Sequence, residues 1–415
     1  MDLINKKRLW KTINDLASIT VENQPWTRRS FTAKYNEGRE WLKNQMIDIG
    51  LEVKVDEASN VIGRLIGTEP NLPPIVIGSH TDTVPNGGRF DGIAGVLAGL
   101  EIVRALTENN ISTRHTIEIV DFTAEEPSEY GLSTVGSRAW SGNLTEEMLL
   151  YTNPDGQSLA DAISYAGGDP AHIKQCKREK GSIALYLELH IEQGPVLLKR
   201  NANIGVVTGI VGIQRYKVIV DGLPNHSGTT PMDMRNDALT AASEMTLALE
   251  SVANRKYDQP VVGTVGVFNN FPNASNVIPG RVEFTVEIRS ISEEAIDAVG
   301  SEFLSQVKNI ALKRDVIVKT ENVSRSGSIV ISDEIKQLLS DSSNSITNKV
   351  IELPSGAGHD ANQMSLLAPV GMIFIPCKAG RSHCPEEWAE KEDLYLGTKV
   401  LLNAVLAFSE KSNKS

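Results

Sequence analysis

Cysteine is scarce in this sequence. Three occur in 415 residues (Cys176, Cys377 and Cys384), an odd number with no CxxC pair. That excludes a disulfide framework, and a reducing, cytoplasmic setting is the expected one. No apolar run approaches the length of a membrane span. Nor does an apolar stretch follow Lys6, Lys7, Arg8 and Lys11. Trp10, Ile13, Leu16 and Ile19 recur there at helical spacing, which predicts an amphipathic first helix rather than a signal peptide. Without a secretion signal, the acceptor-like triplets at Asn110, Asn143 and Asn322 carry no meaning. A surplus of basic residues is also missing: 41 Lys and Arg face 52 Asp and Glu, for a net charge of -11. No nucleic-acid or anionic-membrane partner is expected of such a surface. There is no internal repeat, and the nearest thing to low complexity is the serine-rich stretch Ser340 to Ser345.

Hydrophobic residues make up 40% of the chain and charged ones 22%, enough apolar material for a sizeable core, and the length suggests two domains. Strand-like runs at Ile75–Ile77, Thr116–Phe122, Ala184–Leu189 and Met372–Ile375 alternate with helical patterns, the strongest being Gly92–Thr107. Near-continuous apolar strands of this kind belong in a mostly parallel sheet covered on both faces, so the expected class is α/β. After about Gly209 the texture changes. Tyr216–Val220, Val261–Phe268 and Val282–Ile288 read as antiparallel strands, with helical stretches at Arg235–Ala253 and Glu293–Lys313. That content fits a small βαββαβ (ferredoxin-like) α+β domain. The expected organisation is a discontinuous domain, 1–208 and 327–415, interrupted by an insert, 209–326, and closing with a helix over Lys391–Phe408.

Four segments carry candidate chemistry, each following a strand-like run. In GSHTDTVPNGGRFDG (78–92), His80 sits at a strand's C-terminal end, where open α/β sheets bind ligands. Asp82 is placed to accept the other ring N–H of His80 and fix its tautomer. The turn Pro85–Gly88 lets the chain fold back and bring Asp91 toward His80, with both carboxylate oxygens available to bridge two cations. Alone, His80 reads as a satisfied histidine and Asp91 as a helix N-cap; together they point to a metal site. In TAEEP (123–127), two adjacent carboxylates at a strand end are explained by a division of labour: Glu126 binds a metal and Glu125 is a general base. Metal ions lower the pKa of bound water to about 7, within reach of such a base. His190 opens HIEQGP (190–195), with Glu188 or Glu192 as candidates to orient it, and His383 lies in RSHCPEE (381–387). Only seven histidines exist in the chain, and three of them follow strand-like runs. Nitrogen and carboxylate donors of this mix suit Zn²⁺, Mn²⁺, Co²⁺ or Ni²⁺, and five ligands are too many for one ion with an open position but suit two.

These segments, with NHSGTTPM (225–232) and GAGHDA (356–361), occur in order across nearly the whole chain. Their set resembles the family of N-carbamoyl-L-amino-acid hydrolases, allantoate amidohydrolases and yeast-type β-alanine synthases, related to the dinuclear-zinc aminopeptidases. The resemblance implies an aminopeptidase-like catalytic domain with two divalent ions, zinc or manganese foremost. One would be held by His80, Asp91 and His190, the other by Asp91, Glu126 and His383, with Glu125 as acid/base. It further implies that Arg289 binds a substrate carboxylate, that Asn276 and Gln214 make polar substrate contacts, and that His226 stabilises the oxyanion. Gln193 and the segment Gly356–His359, including Gly358 and His359, are expected to line the pocket. The insert would be a lid and the dimerisation domain of a homodimer. Hydrolysis of an N-carbamoyl-L-amino acid is the expected activity. Allantoate, ureidoglycolate, N-acyl amino acid or dipeptide hydrolysis are the alternatives, and a ligand-binding protein on an inactive scaffold is the non-enzymatic one. The chain departs from the family's usual pattern at Pro127–Tyr130 after Glu126 and at Cys384.

Overall fold

In the computed structural model, which describes residues 3–411, the chain forms two compact units. One takes the chain up to Thr208 and again from Ile331; the other is Gly209–Val330.

In the first unit, β1 (Glu52–Val55), β2 (Val61–Leu65), β3 (Ile75–His80), β4 (Ile117–Phe122), β5 (Leu185–Ile191) and β6 (Ile204–Ile210) appear before the insert. The insert contributes β7 (Gly212–Asp221), β8 (Val261–Phe271), β9 (Arg281–Ser290) and β10 (Ile317–Ser326), and β11 (Ile329–Val330) closes it. β12 (Val350–Ser355) and β13 (Val370–Ile375) follow. The large sheet runs β1-β2-β4-β3-β5-β13-β6-β11, with β12 paired to β6. Its centre is parallel: β3 pairs β4 and β5, and β5 pairs β13.

Every residue of β3, β4, β5 and β13 is buried, which is why their sequences are apolar almost without alternation. The helix Ile93–Glu108 lies against this centre and is buried continuously from Ile93 to Leu106. Burying each large apolar side chain contributes about 1.5–3 kcal/mol. Register fixes where the loops emerge. His80 lies opposite Phe122 and His190 opposite Phe374, so the C-terminal ends of four parallel strands deliver their loops to one edge.

The first helix, Lys6–Ala17, buries Leu9, Ile13 and Leu16 as its periodicity predicts, but ends before Ile19. β5 extends two residues beyond the expected Leu189, which places His190 inside the strand rather than after it.

The insert has the order β7, helix Ala238–Ala253, β8, β9, helix Glu293–Arg314, β10. Its antiparallel sheet runs β10-β7-β9-β8. Val218, Val220, Phe284, Val286 and Ile288 on the sheet pack against Met245, Leu249, Phe303 and Val307 on the helices. β10, almost wholly exposed and polar, has no apolar alternation to reveal it in the sequence. The insert continues to Val330, rather than to 326, because Ile329 and Val330 pair back onto Ile210 and Gly209.

Candidate metal centre

At the parallel sheet edge, the C-terminal ends of β3 and β5 and the loops after β3, β4 and β13 bring five candidate ligands together. Asp91 is the centre of the cluster. Its Oδ1 lies 3.1 Å from His190 Nε2 and 4.0 Å from His80 Nε2. Its Oδ2 lies 3.0 Å from His383 Nε2, which in turn is 3.1 Å from Glu126 Oε1. Two atoms each about 2.1 Å from one tetrahedral ion stand about 3.4 Å apart, so these separations bracket what a shared ion requires. Two triads, His80–Asp91–His190 and Asp91–Glu126–His383, therefore meet at one carboxylate. The donor set, imidazole nitrogen and carboxylate oxygen, is the chemistry of a transition-metal site.

Local backbone makes this convergence possible. Gly92, at φ +68°, is the N-cap of the helix that follows, so Asp91 is not the cap. A Cβ on Gly92 would fall on the imidazole of His80. Ala124, Gln193 and His383 are all held in the left-handed region, which non-glycine residues adopt at a cost and which clusters at functional sites. His383 is the most open of the ligands, with half its side chain exposed.

Backbone carbonyls make the shortest contacts to the Nδ1 atoms of His80 and His190. His80 Nδ1 faces the backbone carbonyl of Asp82 at 3.0 Å, and the Asp82 carboxylate stands farther off at 3.5 Å. That carboxylate instead accepts the backbone N–H groups of Glu125 and Glu126, each at 3.2 Å, and so fixes the acidic pair. His190 Nδ1 meets the carbonyl of Ile191 at 2.9 Å. Glu188 is occupied by Ser79 Oγ and Tyr186 OH, and Glu192 caps the backbone at Val196 and Leu197; neither orients His190. Gln193 donates to Asp91 Oδ2 at 2.9 Å. His359 is buried beside His190, ring centroids 4.6 Å apart, and meets Ser355 Oγ at 2.8 Å, while Gly358 is exposed.

His383, hydrogen-bonded to Asp91 and Glu126, is raised to about 11. Burial works against the charge of Asp91, yet the imidazoles of His190, His383 and His80 hold it well below the ordinary carboxylate range. Burial drives Glu125 well above its ordinary value, with His80 opposing and Glu126 adding to the rise. Glu125 Oε2 stands 3.6 Å from His80 Nε2, beside the triads but in neither.

Sequence reading missed Glu387. It is wholly buried, and its Oε1 accepts the backbone N–H groups of Phe90 and Asp91 at 2.8 and 3.1 Å. The turn read as a means of folding back has a second purpose: a Cβ on Gly88 would occupy the Glu387 carboxylate.

Residues 76–407 match the peptidase family M20/M25/M40. The chain belongs to this family. Among its relatives is an N-carbamoyl-L-amino acid amidohydrolase from Geobacillus stearothermophilus, 39% identical over 97% of this chain and 98% of that one. A ureidoglycolate hydrolase from Arabidopsis thaliana is 35% identical over 95% of this chain and 84% of its own length. The crystal structure of a hydantoinase/carbamoylase family amidase from Burkholderia multivorans superimposes with a TM-score of 0.91 at 33% identity, covering 98% of each chain. This M20 chain is thus a metal-dependent hydrolase of the branch acting on non-peptide C–N bonds.

Within the insert, His226 and Asn276 are brought side by side. His226 bridges to Val277, and the Ser227 N–H donates to the Asn276 carbonyl. His226 Nδ1 accepts the N–H groups of Gly228 and Thr229 at 3.0 and 3.3 Å, which places the proton of the neutral ring on Nε2. Arg289, on β9, is held by Glu287 at 2.6 Å. Gln214 is buried on β7, its amide nitrogen directed to Asn322 Oδ1 at 2.8 Å and the Ser324 carbonyl at 3.1 Å.

Proposed function

We propose that this enzyme hydrolyses N-carbamoyl-L-amino acids to the L-amino acid, ammonia and carbon dioxide, using two divalent ions, zinc or manganese. The observation that carries the two-ion reading is the pair of triads meeting at Asp91, one carboxylate oxygen in each. When bound, the ions supply polarisation of the scissile carbonyl and a lowered pKa for water at the site.

The chain's own residues do the rest. Glu125, its side chain 11% exposed and next to the ligands, takes the proton of the attacking water and delivers it to the leaving nitrogen. His226 donates its Nε2–H to the oxyanion of the tetrahedral species. Arg289 pairs with the substrate carboxylate, a match for which a planar guanidinium is suited. Asn276 and Gln214 are the proposed polar substrate contacts, and Gln193, Gly358 and His359 are proposed to contact the substrate beside the ions. Of the relatives, several sharing 35–39% identity over almost the full chain bear the name N-carbamoyl-L-amino acid amidohydrolase, which favours the carbamoyl substrate over ureidoglycolate or allantoate.

We also propose a homodimer formed through the insert. β8 is an edge strand of eleven residues without a single charge, and it exposes Val262, Val267 and Phe271. An uncharged apolar edge is a pairing hazard that folded proteins cover. β10, the opposite edge, carries Lys319, Glu321 and Arg325, the charges that discourage such pairing. Among the described residues no helix is long and apolar enough to cross a membrane, and the cytoplasm is the proposed location.

Chelated enzyme reloaded with Mn²⁺ or Zn²⁺ and assayed against N-carbamoyl-L-methionine, allantoate, ureidoglycolate and N-acetyl-L-methionine decides the substrate. The carbamoyl compound should give the highest kcat/KM and release ammonia only with metal. Turnover confined to another member of the panel overturns this assignment.

A further inference from the structure

Asp91 has to offer one oxygen to each triad, and something must stop its carboxylate from rotating. Gly92 N–H is directed at His190 Nε2 and not at Asp91. Gln193 Nε2 donates to Asp91 Oδ2 at 2.9 Å, and the remaining contacts that fix Asp91 come from the loop carrying His383. Ser382 Oγ lies 3.0 Å from Asp91 Oδ2 and 2.7 Å from Glu387 Oε2, while Glu387 Oε1 receives the backbone N–H groups of Phe90 and Asp91. One buried carboxylate thus grips the Asp91 backbone directly and reaches the Asp91 side chain through a single hydroxyl.

The loops are pressed together around it. The Arg89 guanidinium lies 4.5 Å from the ring centroids of both Trp26 and Trp388, and the Phe90 ring sits 5.8 Å from that of Trp388. Among the described residues no lysine or arginine is hydrogen-bonded to the Glu387 carboxylate; its partners are two N–H groups and a hydroxyl. A buried carboxylate satisfied only by neutral donors is costly to desolvate, and a salt bridge does not account for its presence.

We propose that Glu387 and Ser382 are positioning residues that aim Asp91 Oδ2 at the Asp91–Glu126–His383 triad and so set the affinity of that ion selectively. This rests on the two-ion reading. Groups that orient metal ligands are typically worth 10–100-fold in metal affinity. The oxygen facing His80 and His190 has no contact with Ser382, so the first triad is spared when the hydroxyl is removed.

Equilibrium dialysis of the chelator-stripped full chain against Mn²⁺ or Zn²⁺ tests it. His190→Ala and His383→Ala identify which equivalent belongs to which triad. Ser382→Ala should weaken the ion of the His383 triad about tenfold or more, leaving the other equivalent as in the wild type. Glu387→Ala should weaken it further. Glu387→Gln should restore it, because an amide oxygen still accepts both N–H groups and the amide nitrogen donates to Ser382. If Glu387→Ala does not fold, Ser382→Ala alone decides. Two equivalents bound with wild-type affinity by folded Ser382→Ala overturn the proposal while leaving the two-ion reading intact, as does equal weakening at both triads. A wild-type chain that takes up a single ion removes both.

Discussion

Glu125 and Asp91 both face His80 Nε2, at 3.6 and 4.0 Å, with opposite tendencies, one pushed toward its protonated form and the other held ionised. That split suits one to move protons and the other to hold cations. Glu125→Gln should lower kcat by about 10²–10⁴-fold with both ions still bound, measured by steady-state assay beside metal analysis of the same sample. Gly92→Ala should do the reverse, costing metal before chemistry. The new methyl meets the His80 ring at a backbone φ of +68°, so stability should fall by about 1 kcal/mol or more. Dialysis should show weakened binding at the His80 triad; tight binding in this variant would contradict the placement of His80. The raised His383 also has a pH signature. Its folded value of about 11 lies above its ordinary 6.5, so its contribution to the metal-free fold is complete below 6.5 and is lost as pH rises toward 11. Asp91, depressed, contributes above 3.8 and loses that as pH falls. Chelated enzyme should therefore melt at lower temperature at pH 10 than at pH 7 in circular dichroism. Metal uptake should release protons and weaken as pH falls, readable by calorimetry in two buffers of different ionisation enthalpy.

The parallel strands were legible because burial on both faces leaves an almost unbroken apolar run, and the ligands were legible because they follow those runs. Helix Ile93–Glu108 begins one residue from its expected start for the same reason, since its pattern is apolar and strong. β10 was not legible: an edge strand with both faces wet has nothing to alternate. Glu387 was illegible for a different reason. A carboxylate that acts on backbone N–H groups of a segment almost three hundred positions away has no local partner in the sequence to reveal it. Asp82 and Glu188 were seen but not their nearest partners, because spacing indicates which residues are near and not which atom of each is nearer. At the level of elements, the uncharged edge β8 carries a prediction of its own. Val267→Lys should convert a dimer to a monomer in sedimentation velocity, with the insert still folded by circular dichroism. An unchanged sedimentation coefficient at dimer mass would place the interface elsewhere.

For the whole chain, the metal ligands all fall in one unit and His226, Asn276 and Arg289 in the other. In the proposed function, ion binding and carboxylate recognition thus belong to different compact units of the chain. The chain leaves the first unit at Thr208 and re-enters at Ile331, and these two residues are hydrogen-bonded, Ile331 N to Thr208 O at 3.0 Å. In topological terms the insert is one very long loop whose ends already touch. A link of about six residues in its place removes roughly 2.7 kcal/mol of closure entropy from the first unit. Such a shortened chain should fold, bind both ions and have negligible turnover. Adding the insert back as a separate polypeptide would then make substrate recognition a concentration that the experimenter sets, and the rate a binding curve for one half of an enzyme by the other.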